Sequence, residues 1–458
     1  MFLFLSSLAL SKNIIIIDAG STGSRLYIYT YDDIYNLSSY DQMRDSEGKP
    51  VSIKSSLQLS ETLNNESKLV EYFDILLDKG SHNYIEKTMR STTPLYLFAS
   101  GGLNYIESEK ARQTLMNDAF QYVNQKYRYL VKDNYFQVVT GKEEAEFAWI
   151  AANHFLGGFE SNKPMAVAEI GGTHAQIAFS VSNPSSIAKP YVESISVNRK
   201  KYKVFRNSWN NFGDVDVEKS ILQYLKDQNK AESPCHLIGT PDIGQGFGLN
   251  TTFTGKPNFD KCIELISTVQ QKSSNNKCDS DPCLFMDKDD NNEDVCVPYA
   301  GGLTYAVVYG MIAYNLEFLK YPIEIPFSQY IADTYVFGNK TYEEAKALDP
   351  SYGYTSKIYF QMCLTNSFLN RGTNGEIQTL RRVNSTRWAG LKLDWTMGAA
   401  IYLTSASVYR GMPVHFIIII VGLTLCCIVM VFLAIKCIID KMKEKRKRLN
   451  DTELNVDT

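Results

Sequence analysis

Residues Ile14 to Tyr31 read IIIIDAGSTGSRLYIYTY. Four β-branched residues in succession predict a buried strand. It runs into Asp18 and then a turn of small residues, Ala19, Gly20, Ser21, Thr22, Gly23 and Ser24, closed by Arg25. Leu26 to Tyr29 resume as a second strand, so the stretch is a hairpin whose tip carries almost no side-chain bulk. Glycines at such a tip let backbone N–H groups turn toward a guest, which suits a phosphate. A carboxylate at the strand end can hold a metal-bound water beside it.

The design recurs about 150 residues later, where Ala166 to Ser180 reads AVAEIGGTHAQIAFS. Aligned without gaps, Asp18 meets Glu169, Gly20 meets Gly171, Thr22 meets Thr173 and Leu26 meets Ile177. Glycine turns are common, but here acid, glycine, threonine and strand resumption all match in register. Two phosphate hairpins predict two similar α/β lobes with a nucleotide between them.

The chain has 458 residues, enough for two to three domains with ample core. Its net charge of −3 leaves no electrostatic footprint for nucleic acid, so a nucleotide must be held by loops and metal. Six of the nine cysteines lie in the main body: Cys235, Cys262, Cys278, Cys283, Cys296 and Cys363. An even set without CxxC pairs or a nearby histidine set reads as three disulfides in an oxidising compartment, not as zinc. Fifteen pairings are open; taken in order they are Cys235–Cys262 and Cys278–Cys283, leaving Cys296–Cys363 by elimination.

Phe416 to Ile435 runs twenty residues without a charge, long enough to span a hydrocarbon core, and we expect a transmembrane helix over 414–436. Lys436, Lys441, Lys443, Lys445, Arg446, Lys447 and Arg448 follow, so the positive-inside rule puts the tail, 437–458, in the cytoplasm. The apolar residues 1–12 read as a short signal segment. Sequons at Asn36, Asn65, Asn250, Asn339 and Asn384 agree with a lumenal or extracellular body. The expectation is a single-pass type I membrane protein of the secretory pathway, at the cell surface or in a Golgi or lysosomal-type membrane. Self-association, if any, would run through the span.

Along the chain, 32–65 reads as a polar loop excursion and Leu69 to Leu77 as an amphipathic helix. Leu95 to Ala99 is a strand running into Ser100-Gly101-Gly102, and a helix follows from about Glu107 to Leu130. Thr140 is set to cap a helix beginning KEEAEFAW, with acids in its first turn. Trp149 falls at core spacing on that helix. Lys272 to Asn292 reads as a polar surface loop pinned by Cys278 and Cys283. Leu303 to Leu319 and Thr341 to Leu348 read as helical, and Asp394 to Val408 as a returning amphipathic segment.

The motifs DAGSTGSR, LFASGGL, TGKEEAEFAW, EIGGTHAQIAF and DWTMGAA, in this order and spacing, resemble those of the apyrase family, the ecto-nucleoside triphosphate diphosphohydrolases and related nucleoside diphosphatases. The resemblance covers residue 14 to about 405. It implies an actin/hexokinase-like (ribonuclease H-like) fold of two lobes with a nucleotide cleft between them. The N-terminal lobe would run over 13–160, completed by about 390–410, and the C-terminal lobe over 161–389. It also implies a Ca²⁺ or Mg²⁺ requirement and hydrolysis of terminal nucleotide phosphates. The Cys278 and Cys283 spacing looks like a family disulfide.

Carried over residue by residue, Asp18 and Glu169 hold the metal through water. Gly20, Ser21, Thr22, Gly23, Ser24 and Arg25 form one phosphate loop; Gly171, Gly172, Thr173, His174 and Ala175 form the other. Glu144 matches the catalytic base that takes a proton from the attacking water. Gln176 positions that water, and Ser100 keeps a hydroxyl near the phosphates where the family usually has threonine. Glu143 and Glu146 read as solvated acids of the same helical turn. Trp395 and Gly398 help close the lobe interface. Tyr305, Tyr309, Tyr314 and Tyr354 are the aromatics on offer to clamp a base.

The fourth motif departs from the family pattern DLGGASTQ. Glu169 replaces the aspartate, moving the charge by about one methylene, and His174 replaces the serine that helps hold the attacking water. Thr173 is a neighbouring hydroxyl that could stand in. The rival reading is therefore a weakly active or inactive nucleotide-binding ectodomain of the same fold. A phosphotransferase such as a sugar kinase is a further rival, opposed by the disulfide-bonded setting and a water-activating Glu144.

Overall fold

The computed structural model describes residues 12–20, 23–34, 36–100, 103, 106, 108–182, 191–197, 200–273, 283–288, 294–298, 303–373, 375–383, 393–409, 430–436 and 438–443. In it the isoleucine run is strand β1 (Lys12–Gly20), with Ile14, Ile15, Ile16 and Ile17 fully buried. The chain returns as β2 (Gly23–Tyr31), pairing Asp18 with Arg25. The tip is tight: a Cβ on Gly23, at φ +127°, would lie 2.5 Å from the Ser55 carbonyl oxygen.

The stretch 32–65, expected as a loop, adds two short strands. β3 (Asp41–Gln42) and β4 (Ser52–Ser55) both pair antiparallel with β2, whose outer edge has backbone groups to satisfy. Helix α1 (Glu66–Phe73) passes into a π-helical turn at Asp74–Asp78. β5 (Leu95–Ala99) then lies parallel to β1. Helix α2 (Glu109–Lys126), capped by Ser108, leads to β6 (Phe136–Val138), parallel to β5. Alternation along β1 sends Ile15 and Ile17 against α1 and α2, while Ile14 and Ile16 face the other way.

What they face is helix α3 (Gly141–Phe155). Its start follows from a capping box: the Thr140 N–H donates to Glu143 Oε2 at 2.8 Å, and the Glu143 N–H donates to Thr140 Oγ1 at 3.3 Å. From Ala145 to Phe155 every residue of α3 is buried, Trp149 completely, as a helix packed on all sides must be. One core cluster joins Ile14, Phe98, Trp149 and Ala152 to Val167, Ala178 and Val307 of the second sheet, so α3 is a layer between two sheets.

The second sheet repeats the plan of the first. β7 (Ala166–Ile170) turns back as β8 (His174–Ser180), pairing Glu169 with Gln176. β9 (Val192–Val197) and β10 (Lys200–Asn210) extend that side antiparallel. Helix α4 (Asp214–Asp227), the small pair β11 (Glu232–Ser233) and β12 (Thr254–Gly255), helix α5 (Phe259–Ser273) and the pair β13 (Cys283–Lys288) and β14 (Asp294–Pro298) follow. Residues 303–319, expected as one helix, divide instead. The β-branched and aromatic Tyr305–Tyr309 forms strand β15, parallel to β7, and Gly310, at φ +60°, turns the chain into helix α6 (Gly310–Phe318). β16 (Glu324–Pro326), helices α7 (Phe327–Phe337), α8 (Tyr342–Lys346) and α9 (Ile358–Gly372), and β17 (Thr379–Arg382) complete this half.

Helix α10 (Trp395–Tyr409) then returns to the layer between the sheets. Ala399, Ala400 and Ile401 join the α3 cluster, and a Cβ on Gly398 would overlap the Phe147 carbonyl of α3. Two bonds of β2 seal the return: Tyr27 donates its O–H to Asp394 Oδ2 at 2.7 Å, and the Tyr29 and Thr396 hydroxyls meet at 2.6 Å.

Cys235 and Cys262 form a disulfide, as their order predicts. Cys363 is a free thiol buried in α9, so the Cys296–Cys363 pair reached by elimination is not made. Elimination assumed every body cysteine was oxidised, yet a core cysteine packs well as a small apolar side chain. Both sheets belong to one compact unit, Met1–Leu403; a second unit is Thr404–Thr458, in which 430–436 and 438–443 are helical. The signal segment, Cys278, Asn384 and most of the apolar run at 416–435 lie outside the described residues. Among the described residues, no helix is long and apolar enough to cross a membrane.

Candidate active site

Both hairpins deliver an acid to the same place. Asp18 and Glu169 lie near the ends of β1 and β7, each opposite the residue seven positions on, Arg25 and Gln176. Burial pushes the Asp18 carboxyl well above its usual range, and the charges of Asp394, Glu144 and Glu169 add to this while Arg25 opposes it. Glu169 is pushed up to about 7, again mainly by burial, with the Tyr309 hydroxyl bond pulling the other way. Glu144, in the first turn of α3, also stands at about 7; burial outweighs the hydrogen bonds it accepts from Gln176 and Ser100. The Gln176 amide nitrogen lies 2.8 Å from Glu144 Oε2. Gln176 Oε1 is buried without a partner.

Asp18, Glu144 and Glu169 are thus raised by their acidic neighbours, Asp394 among them, across a small volume in which Arg25 is the counter-charge acting on Asp18. Asp18 Oδ1 is buried and has no hydrogen-bond partner. An acceptor-only oxygen in that state, among like charges, fits a hard divalent cation. Among the described residues, no three His, Cys, Asp or Glu side chains are grouped closely enough to ligate one ion directly. Coordination through water is compatible with that spacing.

The second hairpin's turn is fixed from behind by α4. The N–H groups of Asp214 and Val215 donate to the carbonyls of Gly171 and Gly172 at 2.9 and 3.0 Å, and Gly213 lies too close to Thr173 N to carry a Cβ. Thr173 Oγ1 and His174 Nδ1 lie 2.5 Å apart. Burial lowers the His174 pKa, against a hydrogen bond with Asn210 that acts the other way. On the first hairpin the Tyr72 hydroxyl donates to Ser24 Oγ at 2.7 Å. Ser21 and Thr22 lie outside the described residues.

A cavity of about 720 Å³ opens here, within the range of small-molecule sites. Arg25, Glu169, Gly171, Gly172, Tyr309 and Asp394 line one part of it, and Tyr314, Tyr352 and Tyr354 another. Of the four tyrosines offered for base stacking, Tyr314 and Tyr354 present exposed rings at the cavity. Tyr309 is buried with its hydroxyl on Glu169, and Tyr305 instead bonds Glu324 and Arg381.

Sequence reading missed four features. Asp394 opens the return segment just before α10, held by the Thr396 N–H at 2.9 Å, and completes the acid cluster. Tyr309 anchors Glu169. Gly310 leaves room for the longer acid, since a Cβ there would lie 2.8 Å from Glu169 Oε1. Glu146, read as solvated, is buried and paired with Arg206 at 3.1 Å; one turn further along α3 it faces β10, not solvent. Glu143 does stand in the exposed cap. The aspartate in DWTMGAA was the available signal for Asp394; the other three depend on contacts distant in sequence.

A sequence model of the GDA1/CD39 (nucleoside phosphatase) family matches residues 9–414. The chain belongs to that family. Among characterised relatives it is 29% identical to the Golgi apyrase of Schizosaccharomyces pombe over 59% of this chain and 50% of that protein. It is 26% identical to ectonucleoside triphosphate diphosphohydrolase 4 of Mus musculus over 57% of this chain and 52% of that one. The chain thus spans about half the length of the curated relatives it matches. In fold it is similar to the nucleoside triphosphate hydrolases of Neospora caninum, with a TM-score of 0.58 at 13% identity, covering 87% of this chain and 93% of that structure.

Proposed function

We propose that this GDA1/CD39 family member is a divalent-metal-dependent hydrolase of the terminal phosphates of nucleoside tri- and diphosphates. The observation that carries the reading is Glu144: a carboxylate at about 7, held by Gln176 and Ser100 at the edge of an acid-rich cleft. A group poised near neutral pH suits the removal of a proton from water. Gln176 donates to Glu144 and keeps Oε1 free to accept from that same water. The backbone N–H groups of the two glycine turns and Arg25 receive the phosphate charge. Asp18 and Glu169 hold the cation through water, and the cation, Ca²⁺ or Mg²⁺, neutralises the phosphate oxygens when bound. Tyr314 and Tyr354 are positioned to take the base. With Glu144 in place as the base, direct attack by water is the reading.

The apolar run at 416–435 and the basic residues after it support a single C-terminal transmembrane helix, with the site on the extracytoplasmic side. The Cys235–Cys262 disulfide agrees with that compartment.

One observation favours the rival, a binding domain with weak or no turnover: the Thr173 hydroxyl is engaged by His174 and so is not free to replace the family's serine. Phosphate release from a nucleotide panel by the purified protein, with Ca²⁺, Mg²⁺ or chelator, separates the two. We expect metal-dependent release that Glu144→Ala lowers by on the order of a hundredfold to ten-thousandfold. Nucleotide binding with no release from the wild type would establish the rival instead.

A further inference from the structure

A second concave site lies at the far end of the first sheet. It is a cavity of about 180 Å³ lined by Asp78, His82, Lys87, Arg90, Lys126 and Arg128, together with Tyr127. Three separate segments build it: the π-helical turn with the residues after it, the run entering β5, and the end of α2. Leu130, just past Arg128, bridges to Pro94 at the start of β5, whereas Ser100 at the candidate active site follows the end of that strand. About 16 Å of strand separates the two ends.

The charges in the cavity do not balance. Lys126 is taken up by Asp74 at 2.6 Å and Asp78 at 3.5 Å, and Asp78 is further engaged by His82 Nδ1 at 3.1 Å and the Tyr127 hydroxyl at 3.3 Å. Arg90 is clamped by neutral acceptors, the carbonyls of Ile85 and His82, at 3.2 and 3.4 Å, which fix the guanidinium without neutralising it. Among the described residues, no carboxylate pairs with Lys87, Arg90 or Arg128. The field is felt locally, since burial and then Arg90 hold the His82 imidazole below its ordinary pKa. In a chain whose net charge is −3, three unpaired cations around one small hollow are a local reversal of sign.

We propose that this hollow is a second anion site, separate from the cleft, that takes one tetrahedral oxyanion, either inorganic phosphate or the phosphomonoester of a lipid headgroup. Its volume is below the range of drug-sized pockets, so a whole nucleotide does not fit and a single phosphate group does. Arg forks and a lysine point charge are the donors that recognise such a group. A polyanion would need an extended basic track, and the three unpaired cations form a pocket.

The test uses the full-length protein held in phosphatidylcholine nanodiscs, the variant Lys87→Glu/Arg128→Glu, and the milder Lys87→Gln/Arg128→Gln. Lys87 and Arg128 are exposed, so both variants should melt as the wild type does. Equilibrium dialysis against radiolabelled inorganic phosphate, with chelator present, reads the free anion. Flotation with phosphatidate-containing vesicles, against phosphatidylcholine alone, reads the lipid. We expect at least tenfold weaker binding of one probe in the charge-reversed variant, an intermediate loss in the neutral one, and weakening by added salt. Loss confined to phosphate assigns the free anion, and loss confined to vesicles assigns the headgroup. Phosphate retained in the cleft would bind wild type and variants alike. That result, or no binding of either probe by the wild type, overturns the proposal.

Discussion

Gln176 on β8 donates its amide to Glu144 on α3 at 2.8 Å, linking the second hairpin to the helix that separates the two sheets. Donation to the ionised form favours it, as does the Ser100 hydroxyl. A base works when deprotonated, so kcat/KM should rise with pH and level off, with its limb no higher than about 7 because a bound cation acts in the same direction. Gln176→Ala or Ser100→Ala should move the limb to higher pH. The pH dependence of kcat/KM for the three proteins checks this, and an unmoved limb would sink the assignment of Glu144 as base.

Tyr309→Phe removes the hydroxyl that holds the Glu169 carboxylate and leaves the ring packed. The cation concentration for half-maximal activity should rise by about 10- to 100-fold, the usual cost of losing an outer partner of a metal-binding group. Activity at saturating cation should change little. A cation titration reads both; a fall in kcat with unchanged cation dependence would place Tyr309 elsewhere in the chemistry.

If the proposed cation site is right, the crowded acids also predict a metal-linked stability. Asp18, Glu144 and Glu169 have folded pKa values above their unfolded ones, so between roughly 4.5 and 7 the folded state holds protons that the unfolded chain releases. Their contribution is complete below the unfolded pKa and is lost as pH rises through the folded one. A cation competes with those protons, so added Mg²⁺ or Ca²⁺ should raise Tm more at pH 7.5 than at pH 5. Asp18→Asn should raise Tm in chelator at pH 7.5, by an amount corresponding to about 1–3 kcal/mol. It should also abolish the cation response. Equal cation shifts at both pH values would contradict this account.

Gly398→Ala places a methyl group against the Phe147 carbonyl at the crossing of α10 and α3. Neither helix can retreat, because α3 is buried along its length. The expected loss is about 3 kcal/mol, the upper end of the usual cost of overpacking. Urea unfolding measures it. A loss below about 1 kcal/mol would mean that the crossing is looser than described.

Local chemistry explains what could be read in advance. The two hairpins were legible because an acid, glycines and resumed β-branched or apolar residues lie within a few positions of one another. The start of α3 was legible from Thr140 and Glu143, a box four residues long. Tyr309 was visible as an aromatic but not as a partner of Glu169, because that bond needs β15 beside β7. The strand β15 was misread because an apolar run of its length suits a buried helix or a buried strand equally. Glu146 looked solvated because its partner, Arg206, lies on a strand distant in sequence. The bond between Tyr27 and Asp394 spans 367 residues, beyond the reach of any periodicity.

That long span has a temporal meaning. Tyr27 and Tyr29 leave the ribosome early, while Asp394 and Thr396 arrive only near the end of synthesis. At roughly 5–20 residues per second, the first hairpin waits on the order of 20–70 s for the segment that satisfies its hydroxyls and supplies its fourth acid. Until then the nascent chain holds an unfinished acid cluster. On the proposed reading, synthesis itself thus keeps the site silent, and a chain cut short before α10 would never acquire it.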